Sequence, residues 1–449
     1  MSPLKSNGKE ASKLGQVSWA LFDWANQPFF TVVTTFIFAP YFANVMIGDA
    51  VAGQTAWAFT QSASGIIIAV LSPFLGAMAD AGGRRKPYVF VFQLLLFAGC
   101  ACLWWAYTHR PDLAGPIGWA VIAATVGAEM SIVFNNAQLP NIVRPERIGW
   151  LSGFGWGLGY VGGLIALFVV LAFQFARGAD PSFTLERLTG PASSLWLLVF
   201  VLPMFLFTPD RAPRHLSALE AARQGGRALL GTLRKLGHYR NTLTFLIAFM
   251  LYNDGLAAII GFGGVYASAI FGWTTTTLGI FGIILTVFAI PGAFLGGRLD
   301  DKLGSKRTVQ LAIAGVIVAT AGIVSVTADS VLFFVPAEPL VATRGLFGSL
   351  QEKTFMAFAL LLGFCMGPMQ AASRTLVGRL APEGMSGEFY GLFALSGRAT
   401  AWMAPLLIGI LTAMTHSNRL GVACVLIFLV LGFLVFTRVR EERAPAAPA

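Results

Sequence analysis

Apolar residues in this chain do not alternate with polar ones; they come in runs. About twelve stretches of roughly 20 apolar residues are set apart by short polar joints, the length a helix needs to cross a hydrocarbon layer about 30 Å thick. They fall at 17–46, 55–78, 87–107, 117–139, 151–175 and 193–208, and, after a basic stretch, at 242–270, 274–297, 308–327, 355–373, 387–412 and 419–437. The sixth run is the shortest, and the residues before it admit an earlier start. The pattern predicts an all-α polytopic membrane protein with twelve transmembrane helices in two pseudo-symmetric bundles of six. The bundles occupy 17–208 and 242–437, with a linker over 209–241 and tails over 1–16 and 438–449.

Composition strengthens this reading. Of 449 residues 56% are hydrophobic and 12% charged, and the mean hydropathy is +0.71. A soluble domain carries about twice that share of charge. The net charge of +10 would suggest nucleic acid in a soluble protein. Here the Lys and Arg residues gather in alternate joints, by roughly four to one over the remaining joints, which predicts both termini on the cytoplasmic side. The four cysteines, Cys100, Cys102, Cys365 and Cys424, lie in apolar runs without metal-ligand spacing and read as small core hydrophobes, with no disulfide. The first run is too long and too polar at Asp23 and Asn26 for a signal peptide. Residues 1 to about 13 and the tail after Arg443 have the composition of disordered ends.

In the linker, Leu216, Leu219, Leu229, Leu230, Leu233 and Leu236 interleave with Arg223, Arg227, Arg234 and Lys235. This suits either an amphipathic helix on the inner leaflet or a solvated basic linker. Gly225-Gly226 works against one continuous helix.

The candidate chemistry is what remains polar inside the runs. An ionised group at the bilayer centre costs roughly 2.5–3.5 kcal/mol on insertion scales, so it is expected to face a polar interior. Asp23, Asn26 and Gln27 stand at i, i+3 and i+4, one face of a helix, and Pro28 cannot donate to the Trp24 carbonyl, which leaves that acceptor bare. The set suits a proton, a sodium ion or a substrate ammonium; the alternative is a structural tie. Tyr252-Asn253-Asp254 repeats the theme in the second half, and Gly255, Gly261, Gly263 and Gly264 allow a broken helix there. Its alternative is a hydrogen-bonded anchor. Glu129 in the fourth run and Arg398 in the eleventh are the other mid-membrane charges. They could pair with each other, Arg398 could pair with Asp23 or Asp254, or the two could hold opposite ends of a zwitterion. The planar guanidinium of Arg398 matches a carboxylate or phosphate. Asn135, Asn136 and Gln138 are candidates for an inner vestibule. Gly155, Gly159 and Gly163 form a stripe suited to close helix packing, and Trp104 and Trp105 an interfacial belt.

Two joints repeat one pattern. Gly76, Asp80, Gly83 and Arg85 follow the second run, and Gly297, Asp301, Gly304 and Lys306 follow the eighth at the same spacing. Asp80 and Asp301 are 301 − 80 = 221 residues apart, and Asp23 and Asp254 are 254 − 23 = 231 apart. Pro145-Glu146 with Gly153, and Pro382-Glu383 with Gly391, repeat less closely. Marks kept in order suggest parallel six-helix repeats related by an axis along the membrane normal. The joint reads as a conformational latch, or more simply as positive charge that enforces topology.

This duplicated Gly-x-x-x-Asp-x-x-Gly joint resembles the signature of the major facilitator superfamily, except that Ala81 and Lys302 stand where that family usually has arginine. Trp19-x-x-x-Asp23-Trp24-Ala25-Asn26, Asn136-Ala137-x-Leu139-Pro140, Ser152-Gly153-Phe154-Gly155 with Gly159-Tyr160-x-Gly162-Gly163, Tyr252-Asn253-Asp254-Gly255, Ser373-Arg374 and Glu388-Phe389-Tyr390-Gly391 together resemble its "unknown major facilitator" family. That group includes the fungal vacuolar amino-acid effluxers of autophagy. The resemblance spans nearly the whole chain. It implies a secondary transporter working by alternating access on an amino acid or similar small polar solute, as a symporter or antiporter or by facilitated passage. It implies the cytoplasmic membrane of a bacterium or the vacuolar membrane of a fungus.

No cofactor is expected beyond a coupling H+ or Na+, and no metal. The expected partners are the solute and membrane lipids, not nucleic acid, with the monomer as the working unit. A lipid or lysolipid flippase of the same fold is the alternative, and a transporter-like sensor a further one. An enzyme is disfavoured, because His109, His215, His238 and His416 all fall in joints and form no catalytic or metal-binding set. An ATP-driven pump is disfavoured because no phosphate-binding loop is present.

Overall fold

The computed structural model describes residues 10–82, 84–138, 142–143, 148–177, 184–210, 220, 223, 239–338, 345–380 and 386–441. Eleven helices in these residues are long and apolar enough to cross a membrane, and a further helix is apolar over Thr275–Ala289. In chain order the helices are α1 (Lys13–Pro28), α2 (Ala50–Gly82), α3 (Lys86–Cys102), α4 (Ala114–Gln138), α5 (Ile148–Arg177), α6 (Leu185–Phe207), α7 (Arg240–Phe271), α8 (Thr275–Leu303), α9 (Ser305–Val324), α10 (Leu350–Leu380), α11 (Ser386–Ala399), α12 (Met403–Thr415), α13 (Asn418–Ala423) and α14 (Val425–Thr437). A small hairpin pairs β1 (Ser330–Val331) with β2 (Val335–Pro336), Ser330 facing Pro336. Residues 1–9 and 442–449, the linker over 211–238 apart from 220 and 223, Pro145, Glu146, Pro382 and Glu383 lie outside the described residues, so the expectations for them lie there too.

The chain forms two compact units, Met1–Asp49 with Ile67–Leu230, and Ala50–Ile66 with Gly231–Ala449, so α2 is divided between them. In the first unit α1 is held by α5 and α6, and α3 by α4. In the second, α7 is held by α14 and α11, and α10 by α8 and α9.

Local chemistry explains where these helices begin and end. Ser12 accepts from Gly15 N at 3.1 Å and opens α1. Ser349 and Glu352 cap α10 reciprocally, Glu352 N donating to Ser349 Oγ (3.1 Å) and Ser349 N to Glu352 Oε2 (3.0 Å). Gly272, at φ +63°, ends α7 in the left-handed conformation. α6 starts eight residues before the apolar run at 193–208, with Glu186 and Arg187 in its first turn. Arg187 donates to Trp104 O at 2.8 Å and lies over the rings of Trp104 and Tyr107.

Three elements differ from the sequence pattern. The first run is not one α-helix. Beyond Pro28 it continues as π-helical turns over Phe29–Phe36 and Tyr41–Met46, around a short α-helical piece at Phe38–Pro40. The glycine-rich seventh run is not broken, since α7 is continuous over 32 residues. The break lies in the eleventh run, where α11 and α12 are separated by a turn at Thr400–Trp402. Cys100 and Cys424 are buried as expected, but Cys102 is exposed and Cys365 only half-buried; all four are free thiols.

Candidate functional site

In the first unit the polar cluster on α1 divides between two neighbours. Asp23 and Gln27, one turn apart, lie against the glycine stripe of α5. A Cβ at Gly155 would meet Asp23 Oδ2 at 2.8 Å, and one at Gly159 would meet Gln27 Oε1 at 3.3 Å. The stripe exists because two helices cannot approach this closely over larger side chains. Gln27 Nε2 reaches on to Thr31 Oγ1 at 3.3 Å.

Asn26 does not share this face, contrary to its i+3 placement. It is 1% exposed and turns toward α3. Its Nδ2 donates to Phe22 O (2.8 Å), and its Oδ1 accepts from Gln93 Nε2 (2.9 Å). Gln93 Nε2 also donates to Ser131 Oγ on α4 at 2.8 Å. This makes Asn26 a core tie across three helices, with Gln93 and Ser131 as partners that the sequence did not single out. The Trp24 carbonyl freed by Pro28 is not bare either: Trp196 Nε1 of α6 donates to it at 3.1 Å, and the two indoles stack at 5.6 Å.

At the far end of α4, the three amides separate. Asn136 is exposed, while Asn135 and Gln138 are buried and their amide groups take no hydrogen bond. The Asn135 carbonyl accepts from Trp19 Nε1 at 2.9 Å. Glu129 is half-buried in the middle of α4.

In the second unit, Tyr252 is buried and shares a 2.7 Å hydrogen bond with Ser373 Oγ on α10. Asn253 Nδ2 donates to Gly397 O on α11 at 3.3 Å. Asp254 is 3% exposed. Its Oδ2 accepts from the Ala404 amide, in the first turn of α12, at 3.2 Å, and its Oδ1 takes no hydrogen bond. The Arg398–Asp254 ion pair, one of the pairings open in the sequence, is therefore not formed. Arg398 is half-buried in the last turn of α11, and its carbonyl accepts from Ala401 N across the break. α7 thus places Tyr252, Asn253 and Asp254 on three different helices around it.

Part of the latch is described. Arg85 is buried, and its backbone N–H donates to Asp210 Oδ1 at 3.0 Å; Lys86 N donates to Asp210 Oδ2 at 3.0 Å, and Lys86 Nζ to Phe205 O at 2.8 Å. The second copy repeats this with Glu441. Ser305 N and Lys306 N donate to its two oxygens (3.2 and 2.8 Å), Lys306 Nζ donates to Thr437 O at 3.2 Å, and Arg379 meets it at 2.6 Å. In each half an acid beyond one helix thus caps the start of another. Partial burial alone would raise the Glu441 carboxyl. The Lys306 amide, the Arg379 guanidinium and the Ser305 amide together outweigh that and hold it below the ordinary carboxylate value. Gly304 sits at φ +87° between α8 and α9, a conformation that suits glycine. Asp300, beside the motif position, is the buried acid here: it accepts from Ser305 Oγ at 2.6 Å and lies 3.6 Å from Arg379. Gly76 and Gly297 fall within α2 and α8. Gly83 and the side chains of Asp80 and Asp301 lie outside the described residues.

Comparison with known proteins agrees with this architecture. Residues 45–447 match the family model described as "Vacuole effluxer Atg22 like". An uncharacterised MFS-type transporter, YxiO of Bacillus subtilis, is 26% identical over 441 residues, covering 95% of this chain and 94% of that one. Autophagy-related protein 22-1 of Neosartorya fischeri is 26% identical over 309 residues, which is 66% of this chain but 49% of the fungal protein. Among solved structures, a D-xylose-proton symporter superposes with a TM-score of 0.63 at 17% identity, covering 96% of this chain and 99% of the other. The nucleoside transporter NupG does so with a TM-score of 0.63 at 12% identity, covering 94% and 99%. The likeness to the solved structures is one of fold, and these relatives are transporters rather than enzymes. With nearly its whole length inside the family model and its helices arranged as in those transporters, this integral membrane protein belongs to the Atg22-like vacuole effluxer family of the major facilitator superfamily.

Proposed function

We propose that the protein is a secondary transporter that moves a small polar solute, with amino acids as the first class to test, by alternating access. One observation carries this: each half seats intramembrane polar side chains of its first helix against glycines of its fifth. Asp23 and Gln27 lie on Gly155 and Gly159 of α5, and Asn253 bonds to the Gly397 carbonyl of α11. A carboxylate and amides on a surface without bulky side chains can hold a solute's ammonium and hydroxyl groups while one helix shifts over the other. Arg398 supplies a guanidinium in the same helix as Gly397, suited to the carboxylate of a zwitterion. The proposal includes twelve crossings, both termini on the cytoplasmic side and a working monomer.

The test is a thermal-unfolding screen of detergent-purified protein against amino acids, sugars, nucleosides and lysolipids, followed by uptake of any hit into proteoliposomes. Binding to the native state raises apparent stability by about 2.7 kcal/mol at a hundred times Kd. Stabilisation by a zwitterionic amino acid, lost in Arg398→Ala, supports the reading. Stabilisation by lysolipids alone overturns it in favour of a lipid carrier.

A further inference from the structure

The break between α11 and α12 lies beside a buried carboxylate of the second unit, Asp254. α12 begins inside an apolar run, where the amides of its first turn need partners. The Ala404 amide is met by Asp254 Oδ2 at 3.2 Å, and the helix dipole there favours a negative charge. Asp254 Oδ1 takes no hydrogen bond, in a residue 3% exposed. Next to it, Gly255 packs on Leu429 and Phe428 of α14. A fully charged carboxylate with one bare oxygen in apolar surroundings is costly. The same group carrying a proton on Oδ1 costs less, because it bears no charge and Oδ2 still accepts from Ala404.

We propose that Asp254 is a proton-binding site, and that loading it loosens the start of α12. The deprotonated carboxylate clamps the Ala404 amide by charge and dipole together; the neutral acid keeps only an ordinary hydrogen bond. The proton fits the surroundings better than a sodium ion does. A sodium ion needs several oxygens, and five carbonyls of the break already accept hydrogen bonds. Gly397 O accepts from Asn253 Nδ2, Arg398 O from Ala401 N, Ala399 O from Trp402 Nε1, Thr400 O from Met403 N, and Trp402 O from Leu406 N and Ser62 Oγ.

The titratable groups around Asp254 do not fix its charge. On its own helix Tyr252 is bonded to Ser373. At the junction of α13 and α14 the Cys424 thiol is buried and within electrostatic reach. Asp254 makes no ion pair with Arg398 of α11 or Arg374 of α10.

The same turn is held from its other side. Ser62 Oγ of α2 donates to Trp402 O at 3.2 Å, and a Cβ at Gly65 would lie 2.9 Å from the Trp402 backbone. A proton taken up at Asp254 therefore acts on the start of α12, next to the turn that α2 grips. Its role as a coupling ion rests on the transporter reading above; its binding does not.

Infrared difference spectroscopy of the reconstituted protein between acid and alkaline pH reads the C=O stretch of a protonated carboxyl. A titrating band is expected, lost in Asp254→Asn, present in Asp23→Asn, and restored at a shifted frequency in Asp254→Glu. In parallel, hydrogen exchange of peptides spanning residues 403–408, corrected for the intrinsic effect of pH, should quicken on acidification in the parent and stay constant in Asp254→Asn. A band that survives in Asp254→Asn, or no titrating band in a parent and an Asp254→Glu variant that both stay folded, overturns the site. A band without any change in α12 exchange overturns the release. Neither measurement uses a solute, so a failed solute screen leaves this result standing on its own.

Discussion

The two halves use the same marks and bend in different places. Asp23 and Asp254 are 231 residues apart, and so are Asp210 and Glu441 (441 − 210 = 231). In the first unit the helix carrying the carboxylate is the irregular one. It runs into π-helical turns after Pro28, while α5 opposite is continuous. In the second unit the carrier helix α7 is regular, and the helix opposite breaks at Thr400–Trp402. A repeat thus keeps its capping acids and its polar position, yet places its irregular backbone on opposite members of the pair. Carbonyls and amides freed inside a membrane must find partners nearby, and each half supplies different ones: the Trp196 indole for the Trp24 carbonyl, and the Asp254 carboxylate for the Ala404 amide.

This contrast can be broken by substitution. The largest effect is expected at the glycine stripe. A Cβ at Gly163 would lie 2.5 Å from Thr31 Oγ1 and 2.9 Å from Gln27 Cγ. Gly163→Ala should cost about 1–3 kcal/mol by overpacking. Gly397→Ala meets chiefly the edge of the Phe249 ring, at 2.9 Å, which can turn aside, so it should cost under about 1 kcal/mol. Equal falls in the thermal-unfolding midpoint would show that both seams are equally tight and would end the contrast.

Next comes the buried polar core. Gln93→Leu strips Asn26 Oδ1 and Ser131 Oγ of a donor and should cost about 1–3 kcal/mol. Tyr252→Phe removes one bond but leaves Ser373 donating to Met369 O at 2.6 Å, so about 0.5–1.5 kcal/mol is expected. Unfolding of the detergent-solubilised variants checks the order.

The smallest effect concerns the caps. Glu441 is held below its ordinary value in the folded protein, so its contribution is present at neutral pH and lost as pH falls through the folded value. Glu441→Gln should lower stability near neutrality and flatten the loss on acidification. Midpoints measured across that range decide it, and an unchanged acid slope would remove Glu441 from the latch.

The helices were legible because a span of apolar residues is a one-dimensional signal. The runs at 87–107 and 308–327 became α3 and α9 with their ends moved by a few residues. The capping acids left a trace that spacing could have exposed, since Asp210 and Glu441 share the offset of the aspartates. The second copy of the joint drew attention to Asp301 by motif spacing, although the neighbouring Asp300 is the buried acid that meets Ser305. The break in the eleventh run was harder to see. No glycine or proline lies in Thr400–Trp402; the one cue is Pro405, which suits the first turn of a helix because it lacks an N–H that would be orphaned there. Asn26 was misplaced because helical spacing fixes which side chains are close in angle. Whether Asn26 turns with Asp23 or toward Gln93 depends on which neighbour offers a partner, and that is set by packing.

The stacked pair of Trp24 and Trp196 has an optical consequence. Their rings lie 5.6 Å apart at 20°, close enough for the two indole transitions to couple and give a paired signal of opposite signs in the ultraviolet circular dichroism. Trp24 adjoins Asp23 and lies one turn before Pro28, where the π-helical turns begin, so any rotation of α1 against α6 changes the angle between the rings. The protein carries an internal goniometer near the end of its first helix, readable without a label.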